Sequence, residues 1–398
     1  MFGKGSTSYE VQSRRDGRWR IEGAFTDQEA SLSCARSQLM AGGVEEVKVI
    51  KFRTLAGLGL ETVILHKKAP ENKSKPLVLG GTAEGAPVCR TLEDLRDFES
   101  RVVIGRLLRP FLDRQRITPT ELLHSWPHFR KLDEQGALLS AAIHATARHH
   151  ADLHGMAVPT RVKEIRRLVD AAAAQARDFL AERKQLPVFT PHDLEETSRR
   201  IDEAVGEEGH DTLFLSLLTL HLVEGGTLGG KLDLLLDLID DDTAPRHLAL
   251  INGVMADILG SADTLKELLG PQPSLVMGLC ALVDSLFGRD PDPMVPQPTM
   301  SLSRVCEMTL RGRAPLCRIV LIDRLRQALS SDQPLDRRDA KSEGALIQSL
   351  TQRLKGADGA LLGGPAVAKA LDRRMVRHRQ TVLRDQGMHD IADRLSAG

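Results

Sequence analysis

The densest group of metal-ligating side chains in the sequence is His144, His149, His150 and His154, with His124 and His128 upstream. His150 and His154 are spaced i, i+4, which on a helix sets two imidazoles on one face, as zinc ligands often are. The residues between them are Ala151, Asp152 and Leu153. There is thus no glutamate of the His-Glu-x-x-His kind, and spacing marks no cysteine or carboxylate as a third ligand. Solvated or capping histidines in a last helical turn, ahead of Gly155, are the expectation here, with no metal. Asp240-Asp241-Asp242 lacks the glycine and the spaced ligands of a calcium loop and is expected as a solvated helix end before Thr243. The sequence has no Gly-x-Ser-x-Gly elbow, no Walker lysine and no kinase signature set. That leaves nucleophile triads assembled from distant residues as the remaining route to covalent catalysis.

Leu77-Val78-Leu79-Gly80-Gly81-Thr82-Ala83-Glu84-Gly85 places apolar residues ahead of a Gly-rich turn, the order in which a strand feeds a phosphate loop. Over about nine residues this resembles the opening of precorrin reductases, a strand followed by Gly-Gly-Thr and then a Glu. The resemblance implies a nucleotide held at residues 77–85. A dinucleotide fold needs further parallel strands downstream. Residues 91–398 offer helices instead, and Pro87 sits where the phosphate-binding helix would run. The segment is therefore expected as linker, and no cofactor is expected.

The remaining candidate is a surface. In the final helix Arg373, Arg377 and Arg384 fall at i, i+4 and i+11, one stripe, and Leu371, Met375, His378 and Val382 fall on another. A basic amphipathic helix suits an acidic partner, a membrane surface or nucleic acid. Nucleic acid is disfavoured because the chain is only 3% aromatic and offers little for base stacking. The N-terminal sheet lacks the paired aromatics of an RNA-binding platform, and Trp19, Ile21 and Phe25 read as its core face.

The elements that must position these residues follow from periodicity. Tyr9–Ser13 and Arg18–Glu22 alternate around Asp16-Gly17, a hairpin signal. Thr26-Asp27-Gln28-Glu29 reads as a capping box opening a helix to about Met40, ended by Gly42-Gly43, and two strands follow at Val47–Arg53 and Glu61–Lys67. Residues 1–69 are thus expected as a small α+β domain of order β-β-α-β-β. Residues 70–90, with three prolines and no helical period, are expected as a flexible linker.

From Thr91 onward the period is 3.6. Thr118-Pro119-Thr120-Glu121 and Thr190-Pro191-His192-Asp193 look like helix starts, and Thr160 and Thr243 like further caps. A multi-helix bundle or irregular α-solenoid is expected, in a domain 91–289 and a C-terminal subdomain 301–398. The Pro-rich stretch 290–300 between them cannot be helical and is expected as a hinge.

Composition bounds the class. The 398 residues are 41% hydrophobic and 27% charged, which is globular. The most apolar window, Leu213–Val223, is too short to span a bilayer and fits a core helix, so no membrane span is expected. Five scattered cysteines without a Cys-x-x-Cys pair read as reduced thiols in a cytoplasm. Net charge is zero, but residues 201–300 carry 4 basic against 17 acidic residues, net −13, and residues 301–398 carry 18 against 11, net +7. The two blocks are expected to meet, within one chain or between two, by an attraction that salt screens. The function class expected is a non-catalytic interaction, adaptor or regulatory protein acting through helical surfaces toward a protein partner or itself. The alternatives are an enzyme using residues 77–85 or the histidines at 144–154, and a nucleic-acid regulator using the basic helix.

Overall fold

The computed structural model describes residues 7–15, 18–41, 44–55, 58–68, 77–290, 296–336 and 343–394. It divides into two compact units, Met1–Pro76 and Leu77–Gly398. The first is α+β and the second is helical, so the chain is mostly α with a small N-terminal α+β domain.

In the first unit β1 (Thr7–Arg15), β2 (Arg18–Phe25), β3 (Glu46–Leu55) and β4 (Leu58–Lys68) form an antiparallel sheet of order β2-β1-β3-β4. Helix α1 (Gln28–Ala41) is capped by Asp27 rather than Thr26: the Asp27 carboxylate accepts the Ala30 N–H at 2.8 Å. The core holds Tyr9, Val11, Val47 and Val49 from the sheet and Ala35 from the helix. Trp19 and Ile21, expected on this face, are 38% and 65% exposed, and only Phe25 packs inward. The cause is a bulge. Val11 pairs with Gly23 while its neighbour Gln12 pairs with Ile21, so Glu22 is the extra residue and the faces before and after it are exchanged. A second bulge gives Val49 opposite Leu65 but Ile50 opposite Val63, which is exposed. On the open face Lys48 Nζ lies 4.3 Å from the Trp19 ring centroid, and the His66 ring is 6.2 Å from it.

The helical unit begins at Leu77. Residues 77–90, expected as linker, belong to it, with Ala83, Ala86 and Cys89 buried; residues 70–76 lie outside the described residues. Seven helices follow: α2 (Leu92–Arg96), α3 (Phe98–Leu107), α4 (Arg109–Gln115), α5 (Pro119–His124), α6 (Trp126–Asp133), α7 (Leu138–His154) and α8 (Val158–Glu182). They enclose two adjoining apolar clusters, one built around Phe111, Leu112 and Ile143, the other around Leu123, Phe129 and Leu168.

The remaining helices are α9 (Leu194–Leu222), α10 (Leu228–Asp237), α11 (Pro245–Leu259), α12 (Ala262–Leu269), α13 (Leu275–Phe287), α14 (Met300–Leu310), α15 (Pro315–Ser330), α16 (Glu343–Arg353), α17 (Gly364–Asp385) and α18 (His389–Arg394). One apolar cluster runs through α9–α17. It crosses the boundary expected at 290–300, joining Leu279 and Leu286 to Leu302, Leu321 and Leu325. Residues 291–295 lie outside the described residues. Beyond them Pro296 and Thr299 are tied to the body, since Gln272 Nε2 donates to Pro296 O at 2.8 Å and Thr299 N–H to Leu268 O at 2.8 Å.

The capping box expected at Thr118 is present: its hydroxyl accepts the Glu121 N–H at 3.1 Å, and Glu121 accepts the Thr118 N–H at 2.8 Å. Others shift. Asp193, not Thr190, caps α9 and accepts the Glu196 N–H at 2.8 Å, because Asp193-x-x-Glu196 is itself a start signal closer to the apolar run. Thr160 lies inside α8, which starts at Val158. Thr243 closes a turn with Asp240, which accepts its hydroxyl at 2.8 Å and the Asp242 N–H at 3.1 Å. Asp240-Asp241-Asp242 is thus a helix-flanking turn, with Asp241 paired to Arg313 at 3.0 Å.

Among the described residues no single helix is long and apolar enough to cross a membrane; α11 and α12 pass such a test only as a pair bent by 92°. Leu213–Val223 falls in α9 and its ends, with Leu213, Phe214, Leu217, Leu218 and Leu222 buried in the core.

Candidate functional site

The two enzyme leads read from the sequence, the Gly-rich segment and the histidines, converge in space. Leu77–Leu79 form no strand and the next helix begins only at Leu92, so the phosphate-loop reading lacks its frame. The glycines serve packing instead. A Cβ at Gly80 would stand 2.7 Å from Pro110 Cδ and 2.9 Å from Arg106 O; one at Gly81 would stand 2.8 Å from Arg106 Cγ. The Gly-Gly pair thus lets the backbone lie against the α3–α4 junction, where Gly80 N–H donates to Leu107 O at 2.9 Å. Gly85, at φ +70°, turns the segment toward α7.

There the histidines receive it. Gly85 N–H donates to His149 Nε2 at 3.1 Å, and His150 Nε2 lies 3.0 Å from Ala86 O. His150 Nδ1 accepts from Arg161 Nε at 2.9 Å, which fixes Nε2 as the protonated nitrogen donating to Ala86. His150 is fully buried, against the expectation of solvated histidines. Burial pushes its pKa down, helped by the nearby Arg161. Both its nitrogens are spent, so it is no metal ligand, and His154 is merely a ring neighbour at 6.2 Å. Among the described residues no three His, Cys, Asp or Glu are placed to hold a metal ion.

Behind this contact lies an apolar cavity of about 90 Å³ among α2–α8 and residues 86–89. Its walls include Leu107, Leu123, Phe129, Ile143, Ile165 and Leu168. Cys89, Ser100, Thr146 and Arg161 are its polar lining. Burial raises the Cys89 thiol above its ordinary pKa, with the Ser100 hydroxyl 3.2 Å away acting in the opposite sense. A thiol held this way is a packing group and not a thiolate nucleophile at neutral pH. A larger cleft of about 1090 Å³ between α12, α13 and α15 has no buried charged side chain among its lining.

A second constellation was invisible to spacing. Gly206, at φ 70° and ψ −179°, breaks α9 and brings His210 back to Asp202. His210 Nδ1 lies 2.7 Å from Asp202 Oδ1 and Nε2 lies 3.4 Å from Ser198 Oγ, a Ser-His-Asp order of contacts. Ser198 sits in the second turn of its helix, where the surrounding backbone N–H groups are tied in i→i−4 bonds and leave no oxyanion donors. His210 also stacks in a row with His247 and Phe214, at centroid distances of 6.1 and 6.3 Å.

The arginine stripe is only partly a free surface. Arg377 pairs with Asp332 and donates to Ser330 O at 2.9 Å, and Arg384 pairs with Asp393 at 2.9 Å. Arg373 is exposed. Their neighbour Arg374 is the buried one: it pairs with Glu343 at 2.8 Å and donates to Leu329 O at 3.0 Å, capping the end of α15.

Compared with known proteins, the chain matches no family model, no curated protein and no solved structure.

Proposed function

We propose that this chain is a non-catalytic interaction protein, regulated by a small apolar ligand held in the cavity of α2–α8. The observation that carries this reading is the cavity itself, an apolar space walled on one side by a loop that His149 and His150 hold in place. Small apolar cavities stay dry and take small apolar guests, as an engineered one of about 150 Å³ takes benzene or xenon. The partner-facing surfaces are then the exposed helix faces of the same unit, Arg373 among them.

The test is a thermal-shift and calorimetric titration of the full chain with small apolar probes such as xenon, cyclopropane and 1-propanol. Binding to the native state raises Tm with probe concentration. Ala142→Leu, which fills the cavity from α7, removes the shift while leaving the far-UV spectrum unchanged. If no probe raises Tm in the unmodified protein, the reading fails.

A second reading, a hydrolase, has the Ser198–His210–Asp202 contacts for it and the lack of oxyanion donors around Ser198 against it. A fluorophosphonate probe that labels the protein, and fails to label Ser198→Ala, would establish it in place of the first.

A further inference from the structure

The N-terminal sheet has two faces, and α1 packs on one of them. A solvated face of an antiparallel sheet is ordinarily polar, but the other face here is not. Residues paired across strands share a face, so the register fixes its members. Trp19, Ile21 and Val63 lie on it and are exposed, and Ile50 and Phe52 belong to it by the same pairing. Exposed apolar side chains gathered on one surface mark an interaction site, whereas single ones need no explanation.

The charges on this face are sorted along the strands. At one end Arg14, Glu46 and Lys68 stand in one cross-strand row, with Lys48 and His66 in the next. Glu46 is taken by Arg14 at 3.2 Å and by His66 at 2.8 Å, so three Lys and Arg side chains against a single carboxylate leave this end positive. At the other end stand Glu10, in the row of Ile50 and Val63, and Glu61, in the row of Ser8 and Phe52. Neither row carries a basic residue, so this end is negative.

We infer that this face is where a second copy of the chain docks, sheet against sheet, about a two-fold axis that lies in the interface and runs across the strands. Such an axis lays the Lys48–Lys68 end of each copy over the Glu10–Glu61 end of the other, with the apolar residues between. An axis along the strands would set like charge on like, which selects the first arrangement. The sheet has four strands about 4.8 Å apart, and β1 runs nine residues at about 3.4 Å each, a face of roughly 600 Å². Two such faces bury about 1,200 Å², the lower end for a specific interface, so the dimer is weak and dissociates on dilution.

The experiment is sedimentation velocity of the full chain over a dilution series. A concentration-dependent dimer is expected, and Ile21→Lys, at an exposed position, should raise its dissociation constant at least about tenfold, the cost of a desolvated charge set against apolar surface. Two charge variants test the orientation. Glu10→Lys with Glu61→Lys makes the face positive throughout, and Lys48→Glu with Lys68→Glu makes it mostly negative. Each alone should be monomeric where the unmodified chain is dimeric, and mixing the two should restore the dimer. A dimer that Ile21→Lys leaves intact overturns the inference, because another surface then joins the copies. Charge variants that dimerise alone as well as the unmodified chain overturn the arrangement. A chain that stays monomeric throughout overturns both, and binding of a labelled oligouridylate that Ile21→Lys abolishes would then assign the face to nucleic acid.

Discussion

Replacing Lys231 by Met should destabilise the helical unit by about 3–5 kcal/mol, the cost of leaving one member of a buried ion pair without the other. Lys231 Nζ lies 2.6 Å from Glu121 Oε1 and 2.6 Å from Arg116 O, with side-chain exposures of 5% for Lys231 and 0% for Glu121. At an effective dielectric of about 20 the gross attraction at this distance is about 6 kcal/mol, against which both desolvation costs must be set. The net worth of the pair is therefore modest, but a lone carboxylate at Glu121 would carry its desolvation with only the Thr118 N–H to answer it. Met keeps most of the apolar stem, so little packing is lost. Urea unfolding followed by far-UV circular dichroism at pH 7 measures the loss. In thermal melts it should appear as a fall of roughly 2 °C per kcal/mol for a large unit. The decisive comparison is the double variant Lys231→Met with Glu121→Gln, which removes both charges. It should be more stable than Lys231→Met alone by at least about 2 kcal/mol. A single-variant loss below about 1 kcal/mol, or a double variant no better than the single one, would refute the claim that a stranded charge is what costs.

His128 sits half-buried with its pKa pushed down to about 4, by burial first and then by Lys131 and Lys231. Because the unfolded chain takes up that proton near pH 6.5 and the folded chain only near pH 4, stability is complete above about 6.5 and falls between them; His128→Gln should flatten the fall by roughly 2–3 kcal/mol. An unchanged gap between the two proteins at pH 7 and pH 4.5 would count against it. Separately expressed fragments 1–289 and 300–398 should associate on mixing, and the complex should survive about 0.5 M salt, where the Debye length is only a few Å; dissociation at that salt would return the acidic and basic blocks to the leading role.

That last expectation reverses the sequence-based one for a physical reason. The blocks do meet within the chain, through Arg304–Asp237 at 3.7 Å, Arg313–Asp241 at 3.0 Å and Arg353–Asp284. But Asp237 and Asp241 are largely exposed, and such pairs are worth about 0–1 kcal/mol each. Between the blocks run Leu232, Ile251, Val283, Leu302, Leu321 and Leu325, all buried, and each fully buried Leu or Ile contributes about 1.5–3 kcal/mol. Apolar burial, insensitive to screening, decides the contact, and the charge segregation is the composition of the surfaces left over.

The same distinction between local and distant information decides what the sequence could reveal. The switch of period at Thr91 and the capping box at Thr118 are signals written within a few residues, and both stand in the structure as read. The hairpin turn at Asp16-Gly17 lies outside the described residues, though the strands on either side pair as expected. A bulge at Glu22 is one residue long and leaves no mark in composition, yet it exchanges the faces of Trp19 and Phe25. The site is less legible still. His149 and His150 meet Gly85 and Ala86 across 64 residues of chain, and Arg161 is one of several arginines near the start of α8. Arg166 and Arg167 are exposed while Arg161 is buried, because only position 161 falls on the inward face of α8, with Ile165, Leu168 and Ala172 following at helical spacing. That stripe is readable in the sequence as a core face beginning with an arginine. A charged residue at the head of an otherwise apolar stripe is the local signal that could have drawn attention to Arg161, since burying it demands partners that the stripe does not supply.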